Sequence, residues 1–216
     1  MDHYKTAIVA SGFNVWHSLV ESALRPSLAT DQKLAEFGCG DGSFAALLSS
    51  RYKTHVIAFD ISPGNIALAK KAGVDAHELD FTSTDWPIQP HSLDGAFSSE
   101  VLEHLIDPMP FLRNVRRALK PGALFCITTP NAFNIRRRVS FLLGRHHDPH
   151  LDPTLGAFAE HVRAFSFDMV MRALVNSDFA IVAKLGDRSL RSQAWIGDTY
   201  RSLLSSHICL LARARG

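Results

Sequence analysis

Cysteine is scarce in this chain: there are three in 216 residues, and no two share a metal-ligand or disulfide spacing. Cys39 falls in a glycine-rich turn, while Cys126 and Cys209 fall in apolar runs that read as buried strands. An odd, unpaired set argues against a disulfide framework or a zinc site and for a reducing compartment, so a cytoplasmic location is expected. Long apolar runs are missing as well. None approaches the roughly 20 residues that cross a bilayer, so no integral membrane association is expected. The opening Met1-Asp2-His3-Tyr4-Lys5 lacks the basic start and apolar core of an export signal. Nor is there an excess of one charge: 23 Lys and Arg face 21 Asp and Glu, a formal net charge of +2. A field that weak, without an aromatic platform or an extended basic region, argues against a nucleic-acid partner. Internal repeats and low-complexity tracts are absent too. What remains, 46% hydrophobic and 20% charged residues, is ordinary globular composition, and the length suits one domain over residues 1–216.

Short β-rich apolar runs alternate with helical patterns through most of the chain. Strands are expected at 33–37, 55–60, 74–79, 93–98 and 123–129, the last entered through a Pro121-Gly122 turn. Helices are expected at 43–50, from Pro63 to about Gly73, and from about Pro108 to Leu119. Strands separated by helix-length crossovers imply a parallel, doubly wound α/β sheet. After a helix over about 166–177 come two further strand-like runs, 179–185 and 206–212, separated by an irregular polar segment. A last strand returning antiparallel completes the expected seven. The leader up to about Thr30 and the segment 131–160 lie outside the alternation, where insertions can build a substrate side.

Glu36-Phe37-Gly38-Cys39-Gly40-Asp41-Gly42 occupies the junction of the first strand and helix. Its glycines permit backbone angles closed to other residues and let a ligand approach the main chain. The next strand ends in Asp60, about 20 residues past the loop, the separation at which a carboxylate can grip ribose hydroxyls. The third strand ends in a second acid, Asp80. A lone acid of this kind is ordinarily a cap or turn residue; all three features in register point to a nucleoside ligand. The usual dinucleotide fingerprint is G-x-G-x-x-G, facing a diphosphate. Here the pattern is G-x-G-x-G with an acid two residues before the first glycine, which suits an ammonium better. That disfavours the nicotinamide- or flavin-dependent oxidoreductase reading.

This loop and its acids resemble the S-adenosylmethionine site of class I, Rossmann-like methyltransferases. The resemblance implies that Gly38, Cys39, Gly40 and Gly42 pass beneath the methionine part of the cofactor, with Glu36 organising the loop and the amino group. It further implies ribose contacts from Asp60, an adenine neighbour in Ile61, and adenine hydrogen bonds from Asp80 and the Phe81 N–H. The run from Phe97 to Pro108 extends the likeness. Ser98-Ser99-Glu100-Val101-Leu102-Glu103-His104-Leu105-Ile106-Asp107-Pro108 is similar to a segment of small-molecule methyltransferases, including ubiquinone-biosynthesis O-methyltransferases and methyltransferase-like proteins of methionine biosynthesis. Leu119-Lys120-Pro121-Gly122, Thr129-Pro130-Asn131 and His161-Val162-Arg163-Ala164-Phe165-Ser166 fit the same group.

Ser98 and Glu100 lie at the carboxyl end of a central strand, where ligands bind in open α/β sheets. Methyl transfer to a hydroxyl needs alignment and a proton acceptor, and an imidazole is matched to that task. His104 is the first candidate for catalysis and His161 the second; capping of turn backbone is the competing role for His104. Glu100, Glu103, His104 and Asp107 also offer oxygen and nitrogen ligands for a divalent ion, though solvated or capping roles explain them better, and no metal is expected. The same holds for His146-His147-Asp148-Pro149-His150, whose prolines and spacing fit a loop. Arg136, Arg137, Arg138 and Arg145 read as a solvated helix face; their functional alternatives are an anionic group on a small-molecule acceptor or an anionic membrane surface. In the leader, Leu19, Val20, Ala23 and Leu24 have helical spacing. Tyr4, Phe13, Trp16 and His17 around them are placed to pack on the sheet edge or wall a pocket. O-methylation of a small molecule is the expected activity; a protein of this fold that binds cofactor without turnover is the alternative.

Overall fold

In the computed structural model, residues 14–145, 161–187 and 202–216 are described. A leader helix α1 (Val15–Leu24) precedes the alternation β1 (Lys33–Phe37), α2 (Ser43–Tyr52), β2 (His55–Asp60), α3 (Pro63–Lys71), β3 (Asp75–Glu78), β4 (Leu93–Ser99), α4 (Pro108–Ala118) and β5 (Leu119–Pro130). Then come α5 (Ile135–Leu142), α6 (Phe167–Val175), β6 (Phe179–Gly186) and β7 (His207–Ala214). The strands form one seven-stranded sheet in the order β3-β2-β1-β4-β5-β7-β6. β1 to β5 pair in parallel, and β7 runs antiparallel between β5 and β6. The expected doubly wound sheet with an antiparallel last strand is what the chain forms.

Helix starts follow local chemistry. Ser62, Asp107 and Ser166 each accept a backbone N–H from the first turn of α3, α4 and α6, and Pro63 and Pro108 occupy first-turn positions where a missing N–H costs nothing. Period-2 alternation sends Ala35 and Phe37 to one face of the sheet, into an aromatic cluster with Phe59, Phe81, Trp86 and Phe111. Leu34 goes to the other face, with Phe44, Phe97 and the α1 residues Leu19, Val20, Ala23 and Leu24. The helical spacing in the leader is therefore a packing face. Tyr4 and Phe13 lie outside the described residues, as does the histidine run 146–150.

Strand β5 departs from expectation by starting at Leu119. Pro121-Gly122 is not a turn before it but a bulge within it: β4 pairs Leu93 with Leu119 and then Gly95 with Leu124. Gly122 absorbs the extra length at φ +80°. Cys126 and Cys209 meet across β5 and β7 with sulfurs 3.6 Å apart, both buried and unbridged.

The strand order reverses at β1, with β2 on one side and β4 on the other. The carboxyl ends of these two strands define the crevice where doubly wound sheets hold ligands.

Candidate cofactor and acceptor site

The loop after β1 is anchored on one side by Gly38 and Cys39, whose N–H groups donate to the Phe59 carbonyl at 2.8 and 3.0 Å. A Cβ on Gly38 would meet Val101 Cγ2 at 2.3 Å, so the chain leaving β4 packs directly on the loop. Gly40 stands at φ +54° with no atom within 4 Å of where a Cβ would be, leaving its backbone open to a ligand. Gly42, at φ +76°, faces the opposite constraint, because α3 crosses it closely at Ala69.

Glu36 is 1% exposed beneath the first turn of α2. Burial pushes its carboxyl well above the usual range, Asp41 and Asp60 add to that, and the Ala45 N–H opposes it. Its Oε2 has no hydrogen-bond partner. A desolvated carboxyl with an unsatisfied oxygen beside an open backbone fits a cationic amino acid group and repels a diphosphate. Two consequences are measurable. Because the folded-state value is raised, Glu36 favours the native state least at neutral pH, where the unfolded chain ionises it freely. Glu36→Gln should therefore raise the thermal midpoint of the ligand-free protein by a few degrees while weakening S-adenosylhomocysteine binding. In the unsubstituted protein, a bound ammonium restores the carboxylate, so affinity should rise with pH as Glu36 sheds its proton. Calorimetry in buffers of different ionisation enthalpy reads that proton release directly.

Asp60, 8% exposed, closes the other wall of the crevice. Its Oδ2 accepts the Gly40 N–H at 2.9 Å; its Oδ1 accepts the Ser62 N–H at 2.9 Å and Asn65 Nδ2 at 3.2 Å. One carboxylate thus ties the glycine loop to the start of α3, and with two lone pairs per oxygen its Oδ2 retains capacity for one hydroxyl donor. Asp60→Ala should weaken S-adenosylhomocysteine binding by about 1–3 kcal/mol, the scale of hydrogen bonds to a charged group; unchanged affinity in calorimetry removes it from the site. Ile61 beside it is 59% exposed, an apolar surface at the strand end. Asp80 is exposed, with Thr82 N–H and Oγ1 both on its Oδ1. The Phe81 ring is committed to the core, so only its backbone can serve a ligand.

The segment after β4 gathers the remaining candidates. Ser98 and Ser99 are buried, each with an unpartnered hydroxyl. Glu100 adopts φ +56°, and its Oε1 is buried without a partner. Burial and the neighbouring Glu103 push its carboxyl well above the usual range. Glu103 is buried and accepts Thr129 Oγ1 at 2.8 Å. Its carbonyl also accepts the N–H groups of Val162 and Arg163 at 2.8 and 3.2 Å, which hooks the 161–163 segment onto this turn. Consequently His104 and His161, 57 residues apart in sequence, have ring centroids 5.1 Å apart, and His161 Nε2 lies 4.0 Å from Glu103 Oε1. Ligand atoms of Glu103, His104 and His161 all lie within 4.8 Å of one another, a mixed oxygen and nitrogen set of the kind divalent ions accept. Asp107 is outside this group; it accepts the Met109 N–H at 3.0 Å as the cap of α4.

His207 was not among the residues singled out from sequence. As the first residue of antiparallel β7, it abuts the carboxyl ends of the parallel strands, with Nε2 3.8 Å from Glu100 Oε2. Its ring packs against Trp16 of α1 at 5.4 Å. Burial lowers its pKa and Arg137 adds to that, against Asp187. The detectable signal was a histidine heading the apolar run Ile208-Cys209-Leu210-Leu211, once that run is assigned to an antiparallel return. His17 lies edge-on to Trp16 at 6.1 Å and stacks on Phe44 at 4.3 Å, and burial lowers its pKa to about 4.

Comparison with known proteins agrees with this geometry. Residues 35–127 match the model of the methyltransferase domain family. A probable S-adenosylmethionine-dependent methyltransferase of Mycobacterium tuberculosis is 28% identical over 176 residues, covering 80% of this chain and 58% of that protein. A ubiquinone biosynthesis O-methyltransferase of Cereibacter sphaeroides is 30% identical over 103 residues, covering 46% of this chain and 41% of the relative. The chain thus spans little more than half the length of the first and less of the second. Among solved structures, an S-adenosylmethionine-dependent methyltransferase from Methanosarcina mazei superposes with a TM-score of 0.68 at 19% identity, over 89% of this chain and 96% of that one. A glycine loop with a buried acid beneath it, a second acid closing the crevice, and a methyltransferase domain match over residues 35–127 make the chain similar to the class I, Rossmann-like S-adenosylmethionine-dependent methyltransferases.

Proposed function

We propose that this chain methylates an oxygen of a small-molecule acceptor, with His161 as the proton acceptor. The observation that carries this is the meeting of His161 and His104 over buried Glu103 at the carboxyl end of β4. When bound, the cofactor supplies an electrophilic methyl group on a sulfonium centre. Glu36 and the open Gly40 backbone hold the methionine portion, Asp60 the ribose, and Ile61, Asp80 and the Phe81 N–H the adenine. Ser98 and Glu100 line the floor at the end of β4. His161 takes the acceptor's proton on its imidazole, and Glu103 stabilises the imidazolium that results. The Glu100–His207 pair and Trp16 wall the acceptor side, so helix α1 borders the pocket. Arg137, close enough to influence His207, is placed for an anionic group on the acceptor. The O-methyltransferase names among the relatives favour oxygen as the acceptor atom.

No helix among the described residues is long and apolar enough to cross a membrane. We place the protein in the cytoplasm, acting on a small molecule without nucleic acid. The test is a screen of phenols, carboxylic acids, sugars and amines with methyl-labelled S-adenosylmethionine. Label transfer to a phenol or carboxylic acid is expected. Tight cofactor binding with no transfer to any class would overturn the catalytic reading; transfer only to amines would overturn O-methylation.

A further inference from the structure

Helix α5 is built inside out. Ile135, Val139 and Leu142 recur along one stripe, and at 3.6 residues per turn Leu143 joins the same side. In a helix packed on a protein this stripe would be the buried one. Here Ile135 is 44% exposed, Val139 47%, Leu142 83% and Leu143 67%, and the helix buries no residue at all. The opposite side carries Arg137 and Ser140, the two partly buried positions, and Arg137 acts on His207 in the body of the protein. Arg137 and Ser140 thus point inward, and the apolar side chains, Phe141 at 75% exposure included, point outward. Arg136 and Arg138 flank the apolar stripe and are exposed, as is Arg145 just beyond the helix. Between residues 131 and 145 there are four arginines and no acid.

We infer that α5 is an interfacial helix that docks this protein on an anionic phospholipid bilayer. The charge pattern selects the occupant. A second copy of this chain presenting the same helix would set arginines against arginines, whereas an anionic headgroup layer pairs with them while acyl chains take the stripe. The arginine fork suits phosphate oxygens, and its stem can lie along the apolar boundary. Since Arg137 lies on the inner side of α5, where its charge reaches His207, docking would bring the acceptor side of the crevice to the membrane surface.

The test is co-sedimentation of the full chain with sucrose-loaded vesicles. Vesicles of phosphatidylcholine with phosphatidylglycerol should carry the protein down, and pure phosphatidylcholine should not. Added salt should weaken the binding, because exposed charges are screened. The double substitution Arg136→Glu/Arg138→Glu, and separately Leu142→Asp, should each reduce the bound fraction at least about tenfold, the scale of like-charge repulsion and lost apolar insertion. Calorimetry with S-adenosylhomocysteine should be unchanged in both variants, which confirms that they fold. Absence of binding to anionic vesicles overturns the inference. So does binding that both variants retain, or a concentration-dependent dimer that Leu142→Asp dissolves in place of any vesicle binding.

Discussion

With an acceptor identified, His161→Ala should lower kcat by about 10²–10⁴-fold, the range for removing a general base, while S-adenosylhomocysteine affinity changes by less than about twofold. Binding and chemistry separate in this proposal because the proposed cofactor wall lies on β1, β2 and the glycine loop, whereas His161 arrives from the segment before α6. Glu103 is a positioning residue in this scheme. It orients His161 through its carboxylate and tethers the segment through its carbonyl. Glu103→Gln should preserve the tether, which uses backbone atoms, and weaken the imidazolium. The acidic limb of the kcat profile should therefore move to lower pH, an effect that a merely structural role would not produce. His104→Ala should have the smaller effect, since its ring is exposed and meets His161 edge-on. If His104→Ala abolishes turnover and His161→Ala leaves it near normal, the roles are reversed. If neither matters, the base lies elsewhere, and the Glu100–His207 pair becomes the next to substitute.

Gly42→Ala should be strongly damaging to the glycine loop. Its backbone stands at φ +76°, which costs an L-residue roughly 1–2 kcal/mol. The new Cβ would also lie 2.6 Å from Ala69 Cβ and 2.9 Å from Ala69 Cα, the latter backbone that cannot swing away. Overpacking of that kind costs about 1–3 kcal/mol. Together these predict a loss of about 2–5 kcal/mol, or roughly 5–15 °C in Tm for a chain of this size. Gly73→Ala is the control: it has φ +81° but nothing within 4 Å, so it should lose only the strain component. Equal losses at the two positions would show that α3 does not hold the loop as described.

The fold was legible because its signals are local. Apolar runs, Pro63 and Pro108 at helix starts, and glycines where the chain turns each specify their own element without distant help. Asp60 was legible for the same reason, since a strand end about 20 residues from a glycine loop is a pattern along the chain. Its second duty, holding the Gly40 N–H, is a contact across space and has no sequence signature. The meeting of His104 with His161 was half legible. Both were singled out, yet what unites them is the Glu103 carbonyl, and a backbone acceptor is invisible in sequence. His207 escaped because its importance comes from sheet order: only when β7 inserts between β5 and β6 does its first residue reach the carboxyl ends of the parallel strands. The Pro121-Gly122 bulge was misread as a turn because both features use the same residues, and only strand pairing distinguishes them. In α5, the periodicity shows an apolar stripe but not which way it faces.

The account rests on Glu36 making the crevice a receptor for a positively charged nucleoside amino acid. Isothermal titration of the full chain with S-adenosylmethionine, S-adenosylhomocysteine and NAD tests this most directly. Both adenosyl ligands should bind, with proton release that disappears in Glu36→Gln, and NAD should give no heat of binding. Saturable NAD binding, with neither adenosyl ligand bound, would contradict it.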